Sequence, residues 1–588
     1  MISLFVLIGR LGPPDYIREP ATDRRRRLWF NPSVPDEQAR VVPRARPPRP
    51  RRPGRVVLGV AVGSLLTVVA ACGSSGSSAG TPPRFVDDTS VSGIDHQYTG
   101  GFEYFVGGGV AAFDCDDDGR EDLYLAGGSG PAALYHNDSP PGGALHFSQI
   151  PSPVTDLSDV TGAYPIDIDS DGHIDLVVLR RGGDVVLRGL GGCRFEDATQ
   201  SLGLDVPPGW TTAFSATWEG SNSLPTLAFG RYLVPGEDQC DTSWLVRPDA
   251  SGARYAPPIA LSPGYCTLSM LFSDWSHSGH RDLRVSNDRH YYINGEEQLW
   301  RIVPGQPPTA YTAADGWQPL QIWGMGIASQ DITGDGLPEV FLTSQGDNKL
   351  QTLAPGSAGP DYHDIALKRG VTAQRPFVGG DILPSTAWHP EFADVNNDGW
   401  PDLLVTKGNV DAQIEQASRD PNNLFIGQPD GSFTEGAEAA GIVDYQRSRG
   451  AAVVDLNLDG LPDLVIVHRQ ANVTLWRNAG RGNAAKPVAM GQWFDVRLHQ
   501  PAPNVDAVGA WLDVRVGDRT TTREVTVGGG HVSGELGWLH TGIGSASRAD
   551  VRVEWPDGTV GPWMTVRAGE RVSIERGDTA PRPWTATG

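Results

Sequence analysis

The sequence lacks several short motifs that identify common enzymes. It contains no H-E-x-x-H zinc motif, no G-x-x-x-x-G-K-[ST] phosphate loop and no C-x-x-C pair. Basic residues are outnumbered by acidic ones, 48 to 70, which gives a formal net charge of −22. Because so acidic a surface repels the nucleic-acid backbone, we expect no nucleic-acid partner. We also expect a protein that is not an enzyme.

What the sequence does contain is a nine-residue acidic loop that recurs along the chain. A weaker copy (DWSHSGHRD) begins at Asp274, and five clear copies begin at Asp114, Asp167, Asp331, Asp394 and Asp455. Successive copies lie 53–63 residues apart, except for one gap of 107 residues before the weaker copy. A decayed copy without the carboxylate pattern fits at residues 218–226, near the middle of that gap. The chain therefore has seven units, and we number their loops one to seven in chain order.

The spacing of oxygen atoms in the loops indicates calcium. Side chains at positions 1, 3, 5 and 9 can converge on one hard cation, and the position-7 carbonyl and water complete about six to eight ligands. An EF-hand also needs flanking helices and a glutamate at position 12, where loops one, two and six have Leu125, Val178 and Val405. The EF-hand interpretation therefore fails. The predicted Ca²⁺ ligands are Asp114, Asp116, Asp118, Asp122, Asp167, Asp169, Asp171, Asp175, Asp331, Thr333, Asp335, Glu339, Asp394, Asn396, Asp398, Asp402, Asp455, Asn457, Asp459 and Asp463, with a weaker set in loop four formed by Asp274, Ser276, Ser278 and Asp282.

Short aliphatic runs on both sides of each loop predict β-strands. A second phrase, of the form Phe85-Val-Asp-Asp-Thr, recurs at Phe195, Tyr362 and Phe433. One unit of 50–63 residues thus holds several strands and two turns, which is the size of a four-stranded propeller blade. We predict an all-β fold, a seven-bladed β-propeller followed by a small C-terminal β-domain.

The repeats resemble the FG-GAP/VCBS repeats of integrin-α-type propellers, which implies calcium on one face of the disc. Residues 504–576 resemble the ASPIC/UnbV domain through Asn504-Val-Asp-Ala-Val-Gly-Ala, Arg523-Glu-Val-Thr-Val-Gly-Gly-Gly-His-Val-Ser and Val553-Glu-Trp-Pro-Asp-Gly. This pairing is characteristic of the cartilage-acidic-protein family. The resemblance implies a propeller over residues 84–485 and an ASPIC/UnbV domain over residues 490–577. Loop three lacks the acids of the family pattern, and Thr541 stands where an aromatic residue is usual.

The N-terminus resembles a bacterial lipoprotein signal. A basic stretch ending at Arg55 precedes an apolar run and the sequence Val69-Ala-Ala-Cys72. The apolar run, residues 56–69, is shorter than the about 20 residues of a transmembrane helix. We predict that residues 56–72 are a signal peptide, that Cys72 is acylated, and that the protein is lipid-anchored on the extracytoplasmic face of the cell envelope. An uncleaved N-terminal anchor is the alternative.

The ends of the chain have their own character. Residues 1–55 hold 13 arginines and five acids, so they are either a long basic extension of the signal or lie upstream of the true start. Without them the net charge becomes −30. We expect residues 73–83 to be a flexible Gly/Ser linker and residues 578–588 to be a disordered tail.

The remaining cysteines suggest disulfides. If Cys72 carries lipid, four cysteines are left, an even number in an oxidising compartment. We favour Cys240–Cys266, because these residues bracket one Pro/Gly/Ser-rich insertion between blades three and four. Cys115 and Cys193 then remain, either as a second disulfide or as buried thiols.

Together these features predict a calcium-binding propeller that acts as a binding, adhesion or scaffold module. Its broad face and central channel would serve a protein or polysaccharide ligand, and the membrane would hold its N-terminal lipid. Two alternatives stay open. One is an enzyme with its active site at the channel mouth, built from carboxylates or histidines of several blades; the other is a carbohydrate-binding module that uses exposed tryptophans. We also expect Thr226→Ala, in the decayed loop, to be nearly silent.

Overall fold

The repeats fold into four-stranded antiparallel sheets, or blades. The computed structural model of the protein describes residues 80–288, 295–411 and 413–585. The predicted extension, the signal peptide with Cys72, and residues 73–79 lie outside the described residues. Within the described ranges there are seven blades, and each acidic loop joins the innermost strand of its blade to the second strand.

Strands are given from the innermost to the outermost of each blade. Blade one contains β2 (Val110–Phe113), β3 (Asp122–Leu125), β4 (Ala133–Asn137) and β5 (Phe147–Gln149). Blade two contains β6 (Val160–Ile166), β7 (Asp175–Gly182), β8 (Val185–Gly189) and β9 (Phe195–Asp197). Blade three contains β10 (Gly209–Thr217), β11 (Thr226–Arg231), β12 (Ser243–Val246) and β13 (Ile259–Leu261). Blade four contains β14 (Thr267–Ser273), β15 (Asp282–Asn287), β16 (Gln298–Arg301) and β17 (Thr309–Ala310). Blade five contains β18 (Gly324–Gln330), β19 (Glu339–Ser344), β20 (Lys349–Leu353) and β21 (Tyr362–Asp364). Blade six contains β22 (Ala387–Ala393), β23 (Asp402–Lys407), β24 (Asn423–Gly427) and β25 (Phe433–Glu435). Blade seven contains β26 (Ser448–Val454), β27 (Asp463–His468), β28 (Thr474–Asn478) and, as its outermost strand, β1 (Phe85–Asp87).

The innermost strands form a closed ring. Each contacts the innermost strand of the next blade, and β26 contacts β2, which brings blade seven beside blade one. Strand β1 pairs antiparallel with β28, with Phe85 opposite Asn478. The first strand of the propeller sequence therefore completes the last blade, and the ring cannot open without breaking that sheet. The prediction of an all-β propeller is confirmed.

Burial explains the sequence pattern of the blades. All nine residues of β10 are buried, as are all seven of β6. Such strands are covered on both faces by neighbouring blades, so they contain apolar residues, glycine and hydroxyl side chains but no charged residue. The phrase that recurs at Phe85, Phe195, Tyr362 and Phe433 forms the outermost strand of its blade.

Two further sheets form the C-terminal unit. The first has the order β34 (Leu539–Gly544), β29 (Gln492–His499), β37 (Arg571–Glu575), β38 (Arg582–Pro583). The second has the order β31 (Arg519–Glu524), β30 (Trp511–Val516), β35 (Arg548–Glu554), β36 (Met564–Arg567). The apolar faces enclose a core that includes Phe494, Leu512 and Val551. Buried residues alternate along β35, as expected for a strand with one face inward.

Two expected flexible segments are partly ordered. The predicted tail, residues 578–588, contains β38, which pairs with β37, and Trp584, whose ring lies 5.1 Å from that of Trp538. Contact between these two partly buried rings helps to hold the chain end in place through residue 585. In the predicted linker, the N–H of Gly80 donates to Asp398 Oδ2 at 2.8 Å. Residues 73–79 and 586–588 lie outside the described residues.

The structure contains two disulfides among its described residues. Cys240 is bonded to Cys266 and Cys115 to Cys193, with a Cα–Cα distance of 4.7 Å in each. Secondary structure other than strands is limited to two four-residue α-helices, Ala366–Arg369 and Ala437–Ala440, and two short 3-10 turns in the described ranges. Within those ranges, none of the helices has the length and apolar character needed to cross a membrane.

Candidate functional site

Six acidic loops share one backbone conformation. The residue at position 4 and the glycine at position 6 both have positive φ, as with Asp117 at 63° and Gly119 at 88° in loop one. Glycine adopts this conformation without steric cost, which explains its place at position 6. The same pair of positive angles recurs in loops two, four, five, six and seven at Ser170 and Gly172, His277 and Gly279, Gly334 and Gly336, Asn397 and Gly399, and Leu458 and Gly460.

Backbone hydrogen bonds orient the carboxylates. In loop one, Asp114 accepts from the N–H groups of Asp118 and Gly119, at 3.1 and 2.8 Å. Asp122, at position 9, accepts from the N–H of Cys115 at 2.9 Å. The bond to position 9 recurs in loops two, five, six and seven, where the acceptors are Asp175, Glu339, Asp402 and Asp463. These carboxylates are therefore fixed by the fold itself.

The predicted ligands converge. Oxygen atoms of Asp114, Asp116 and Asp122 lie within 4.8 Å of one another, and so do those of Asp167, Asp169 and Asp175. Two buried ligand oxygens, Asp169 Oδ1 and Asp459 Oδ2, have no hydrogen-bond partner. Unpaired buried oxygens are costly unless something else satisfies them. Convergent oxygen donors together with orphaned oxygens fit a metal ion. In loops five to seven the predicted ligands occupy the same positions of the same loop conformation.

Burial also makes these carboxyls hard to ionise. It raises the pKa of Asp175 to about 8, although bonds from the N–H groups of Gly189 and Ile168 oppose it. It raises the pKa of Asp167 to about 7. In Asp402, burial and the nearby charges of Asp394 and Asp398 hold the pKa well above its usual range. A bound cation would remove this penalty, because it favours the charged form.

In loop four, hydrogen bonds within the protein already occupy the predicted ligands. Asp282 Oδ2 accepts from Trp275 Nε1 at 2.9 Å and from the Tyr311 hydroxyl at 2.7 Å. Ser276 and Ser278 hydrogen-bond each other at 3.0 Å. The predicted weaker set is thus present with the loop conformation of the others, but its position-9 carboxylate is already paired.

In loop three an arginine supplies the positive charge. The loop joins β10 to β11, as its place in the repeat predicts. Glu219 Oε1 accepts from the Thr226 hydroxyl and from Arg247 Nε, both at 2.6 Å. Our expectation that Thr226→Ala is nearly silent does not agree with this geometry, because the substitution would remove a buried hydrogen bond to a charged acceptor, worth about 1.5–3 kcal/mol.

The C-terminal unit lies on the loop face of the propeller. Arg497 Nη2 is 3.0 Å from Asp114 Oδ2 in loop one, and Arg571 forms an ion pair with Asp455 in loop seven. His540 Nε2 lies 2.7 Å from Asn397 Oδ1 in loop six. The first residues of loops one and seven are therefore both predicted metal ligands and docking partners of the C-terminal unit.

Between β31 and β34 the chain leaves the C-terminal unit and enters the centre of the propeller. We call residues 527–536 the plug. Its strand β32 (Val527–Gly528) pairs with β10 and β14, and its strand β33 (Gly534–Leu536) pairs in parallel with β2. Through β32, and through pairing of β7 with β10, blades two, three and four join into one 13-stranded sheet.

The plug reaches the other blades as well. Ser533 bridges to Ala163 of β6, and Gly530 bridges to Ile327 of β18. The N–H of His531 donates to His389 Nδ1 of β22 at 3.0 Å, and the N–H of Val453 of β26 donates to Glu535 at 2.9 Å. The plug thus contacts the innermost strand of every blade.

The channel that we expected to receive a partner is therefore occupied by the chain itself. Three consecutive glycines, Gly528, Gly529 and Gly530, have φ of 131°, 74° and 55°. This run of left-handed backbone lets the plug turn inside the narrow channel. The sequence shows the glycine run, but not the ring of strands that surrounds it.

Next to the plug, a cavity of about 460 Å³ lies between the channel mouth and the C-terminal unit. Glu391 of β22 and Glu535 of the plug both accept from the N–H of Val453, at 3.1 and 2.9 Å. His389 Nε2 lies 3.1 Å from the other oxygen of Glu391. Burial, followed by the charge of Glu391, holds the pKa of Glu535 well above its usual range. None of these residues was identified from the sequence.

Comparison with known proteins defines the class of this propeller. Residues 114–178 and 331–405 match the FG-GAP-like repeat family, and residues 500–581 match the ASPIC and UnbV family. Segments of the propeller thus match FG-GAP-like repeats and the C-terminal unit matches an ASPIC/UnbV domain, and both predicted resemblances are confirmed.

Relatives among characterised proteins match shorter stretches. Mouse (Mus musculus) cartilage acidic protein 1 is 28% identical over 143 residues, which cover 24% of this chain and 21% of that protein. Human (Homo sapiens) phosphatidylinositol-glycan-specific phospholipase D is 27% identical over 175 residues, which cover 26% of this chain and 20% of that protein. The matches span about a fifth of the length of these relatives. Among solved structures, PorZ of the type-IX secretion system of Porphyromonas gingivalis is 12% identical, with a TM-score of 0.37, and covers 82% of this chain and 60% of its own.

Proposed function

We propose that this protein is a lipid-anchored, calcium-binding propeller on the extracytoplasmic face of the cell envelope, where it acts as a binding, adhesion or scaffold module. The observation that carries the proposal is the convergence of oxygen donors in loops one and two, together with the same loop conformation in loops five to seven, on the face where the C-terminal unit docks. All the predicted ligands in these loops offer oxygen, which suits Ca²⁺ better than soft metals.

The loops and the docking contacts depend on the same residues. In loop one the candidate ligands are Asp114, Asp116, Asp118 and Asp122, and Asp114 also pairs with Arg497. Calcium, when bound, would hold these carboxylates in their charged form. The arginines of the C-terminal unit then meet carboxylates in a fixed arrangement. We infer that filling the loops stabilises the docked C-terminal unit as well as the blades.

The partner surface lies away from the loops. Because the C-terminal unit covers the loop face and the plug fills the channel, the opposite face of the propeller is the broad surface that remains. Connections on that side carry Phe102, Ile382 and Ile414, which are 65%, 75% and 89% exposed. Exposed apolar side chains suit a protein or polysaccharide ligand. An enzyme at the channel mouth remains the alternative, since the cavity there is lined by carboxylates and histidine.

Elemental analysis combined with calorimetric titration tests the calcium proposal. We expect four to five Ca²⁺ per chain in protein purified without chelator, and a large fall in melting temperature in EDTA. For one site at a hundredfold excess over Kd, binding adds about 2.7 kcal/mol to the free energy of unfolding. Arg567→Gln is the control, because this side chain is 81% exposed and is not a predicted calcium ligand. Metal-free protein whose melting is unchanged by EDTA would contradict the proposal.

The anchor is tested separately. Cys72→Ser should prevent lipid attachment and leave an unprocessed precursor or a released form. Labelling with a fatty-acid analogue and mass spectrometry of the mature N-terminus give the result. A wild-type chain that begins well before Cys72 and carries no acyl group would favour the uncleaved anchor.

A further inference from the structure

The cavity at the channel mouth has the dimensions of a ligand site. Its volume of about 460 Å³ lies within the range of about 300–1,000 Å³ that small-molecule sites occupy. The walls combine apolar groups, among them Ile327, Phe392 and Trp538, with the charged side chains of Arg523 and Glu535. The propeller and the C-terminal unit both contribute, so the site exists only in the docked protein.

Arg523 is a cation that has no direct partner among the residues that the structure describes. It is only partly exposed, and it lines the cavity. Among the described residues, none forms a hydrogen bond or an ion pair within 4.0 Å with its guanidinium. The charges of Glu535 and Glu391 act on it from farther away, while burial lowers its pKa. A guanidinium carries five N–H donors in a planar fork that matches a carboxylate. Its donors therefore remain available to a ligand.

Glu391 and Glu535 line the same cavity as Arg523 and contribute two carboxyl groups to it. Both are held by the N–H of Val453, and Glu391 is also held by His389 Nε2 at 3.1 Å. Each comes from a different part of the fold, β22 and the plug. Two carboxyl groups so close together readily share one proton, because both cannot ionise without strong repulsion. Such a pair accepts hydrogen bonds from hydroxyl or ammonium groups and can also donate one.

We propose that this cavity binds a small hydroxy- or amino-carboxylate, whose anionic group pairs with Arg523 and whose hydroxyl or ammonium group meets Glu391 and Glu535. The charge arrangement favours this class over neutral sugars, which would leave the guanidinium unpaired. It also differs from the loop sites, since none of the three residues is a predicted calcium ligand.

Calorimetric titration of the full chain in saturating calcium tests the proposal with three probes. D-Glucuronate and L-serine represent the two ligand types, and D-glucose is the neutral match for D-glucuronate. We expect at least one of the two carboxylates to bind, with affinity at least tenfold above that of D-glucose. Arg523→Gln should lower this affinity at least tenfold, Glu535→Gln should lower it as well, and Arg567→Gln on the outer surface should leave it unchanged.

Several results would overturn the inference. Binding of neither carboxylate, equal binding of D-glucose, or binding that survives Arg523→Gln would each do so. If Arg523→Gln fails to fold, Arg523→Lys keeps the charge but loses the planar fork, and it should still weaken the carboxylate. Crystals soaked with the bound probe give an independent answer, since its carboxylate must lie against Arg523; an empty cavity would refute the site. Calcium binding is measured in the same samples, so failure of the cavity proposal is separable from failure of the calcium proposal.

Discussion

Replacing Gly162 by alanine tests whether the plug fills the channel. Gly162 lies in β6, and an ideal Cβ placed there would be 2.1 Å from the carbonyl oxygen of Val532 and 2.5 Å from its Cβ. Gly109, beside blade one, faces the same residue, and a Cβ there would be 1.8 Å from the Val532 oxygen. Neither glycine has a positive φ, so the backbone itself would accept alanine. The predicted cost is therefore purely steric and comes from the plug.

The magnitude follows from what must move. Overpacking a well-packed interior costs about 1–3 kcal/mol and occasionally more. The obstructing atom here is a backbone oxygen, in a segment tied to all seven blades, so we expect Gly162→Ala to lose about 3 kcal/mol or more. Without the plug the same change would stabilise the protein by about 0.4–1 kcal/mol, because alanine restricts the unfolded chain. A filled channel therefore predicts that Gly162→Ala lowers the free energy of unfolding, and an empty channel predicts that it raises it.

The assay is urea unfolding in saturating calcium, with Gly183→Ala as the matched control. A Cβ at Gly183 would meet no heavy atom within 4 Å, and this residue is exposed in the next turn of the same blade. We expect Gly183→Ala to match the wild type or exceed it slightly, and Gly162→Ala to unfold at clearly lower urea. Equal midpoints for the two variants would refute the placement of the plug.

Two further predictions concern the loops. Asp398→Ala should remove one bound Ca²⁺ and destabilise blade six. Thr226→Ala should lower the free energy of unfolding by about 1.5–3 kcal/mol without changing the number of bound ions. A lower ion count in Thr226→Ala would contradict the interpretation that an arginine takes the place of the ion in loop three. In EDTA, stability should fall as pH rises from about 5 to 8, because burial raises the pKa of Asp175 to about 8 and of Asp167 to about 7 in the folded state, against about 3.9 in the unfolded chain. A group with a raised folded pKa stabilises the protein below its unfolded pKa and loses that contribution as pH passes the folded pKa. Melting temperatures that rise over this range in EDTA would contradict the assignment, and calcium should abolish the fall.

The sequence determined what depends on local spacing. The period of the acidic loops, the glycine at position 6 and the aliphatic runs such as 175–179 lie within a few residues of one another. They therefore predict the repeats, the strands and the candidate ligands, and the ligands of loops one and two do converge. The decayed loop at 218–226 was located from the period alone. The ASPIC/UnbV domain was recognisable from its motifs.

Only the tertiary structure decided which distant residues meet. Arg497 and Asp114 are 383 residues apart in the chain, and no local pattern relates them. The plug shows the same limitation, because a glycine-rich segment resembles a loop until the ring of blades around it is known. Glu391 acquires a role only when Glu535 is brought beside it. Long-range pairing depends on the complete packing of blades and C-terminal unit, so spacing along a single chain could not reveal the docking contacts, the filled channel or the cavity.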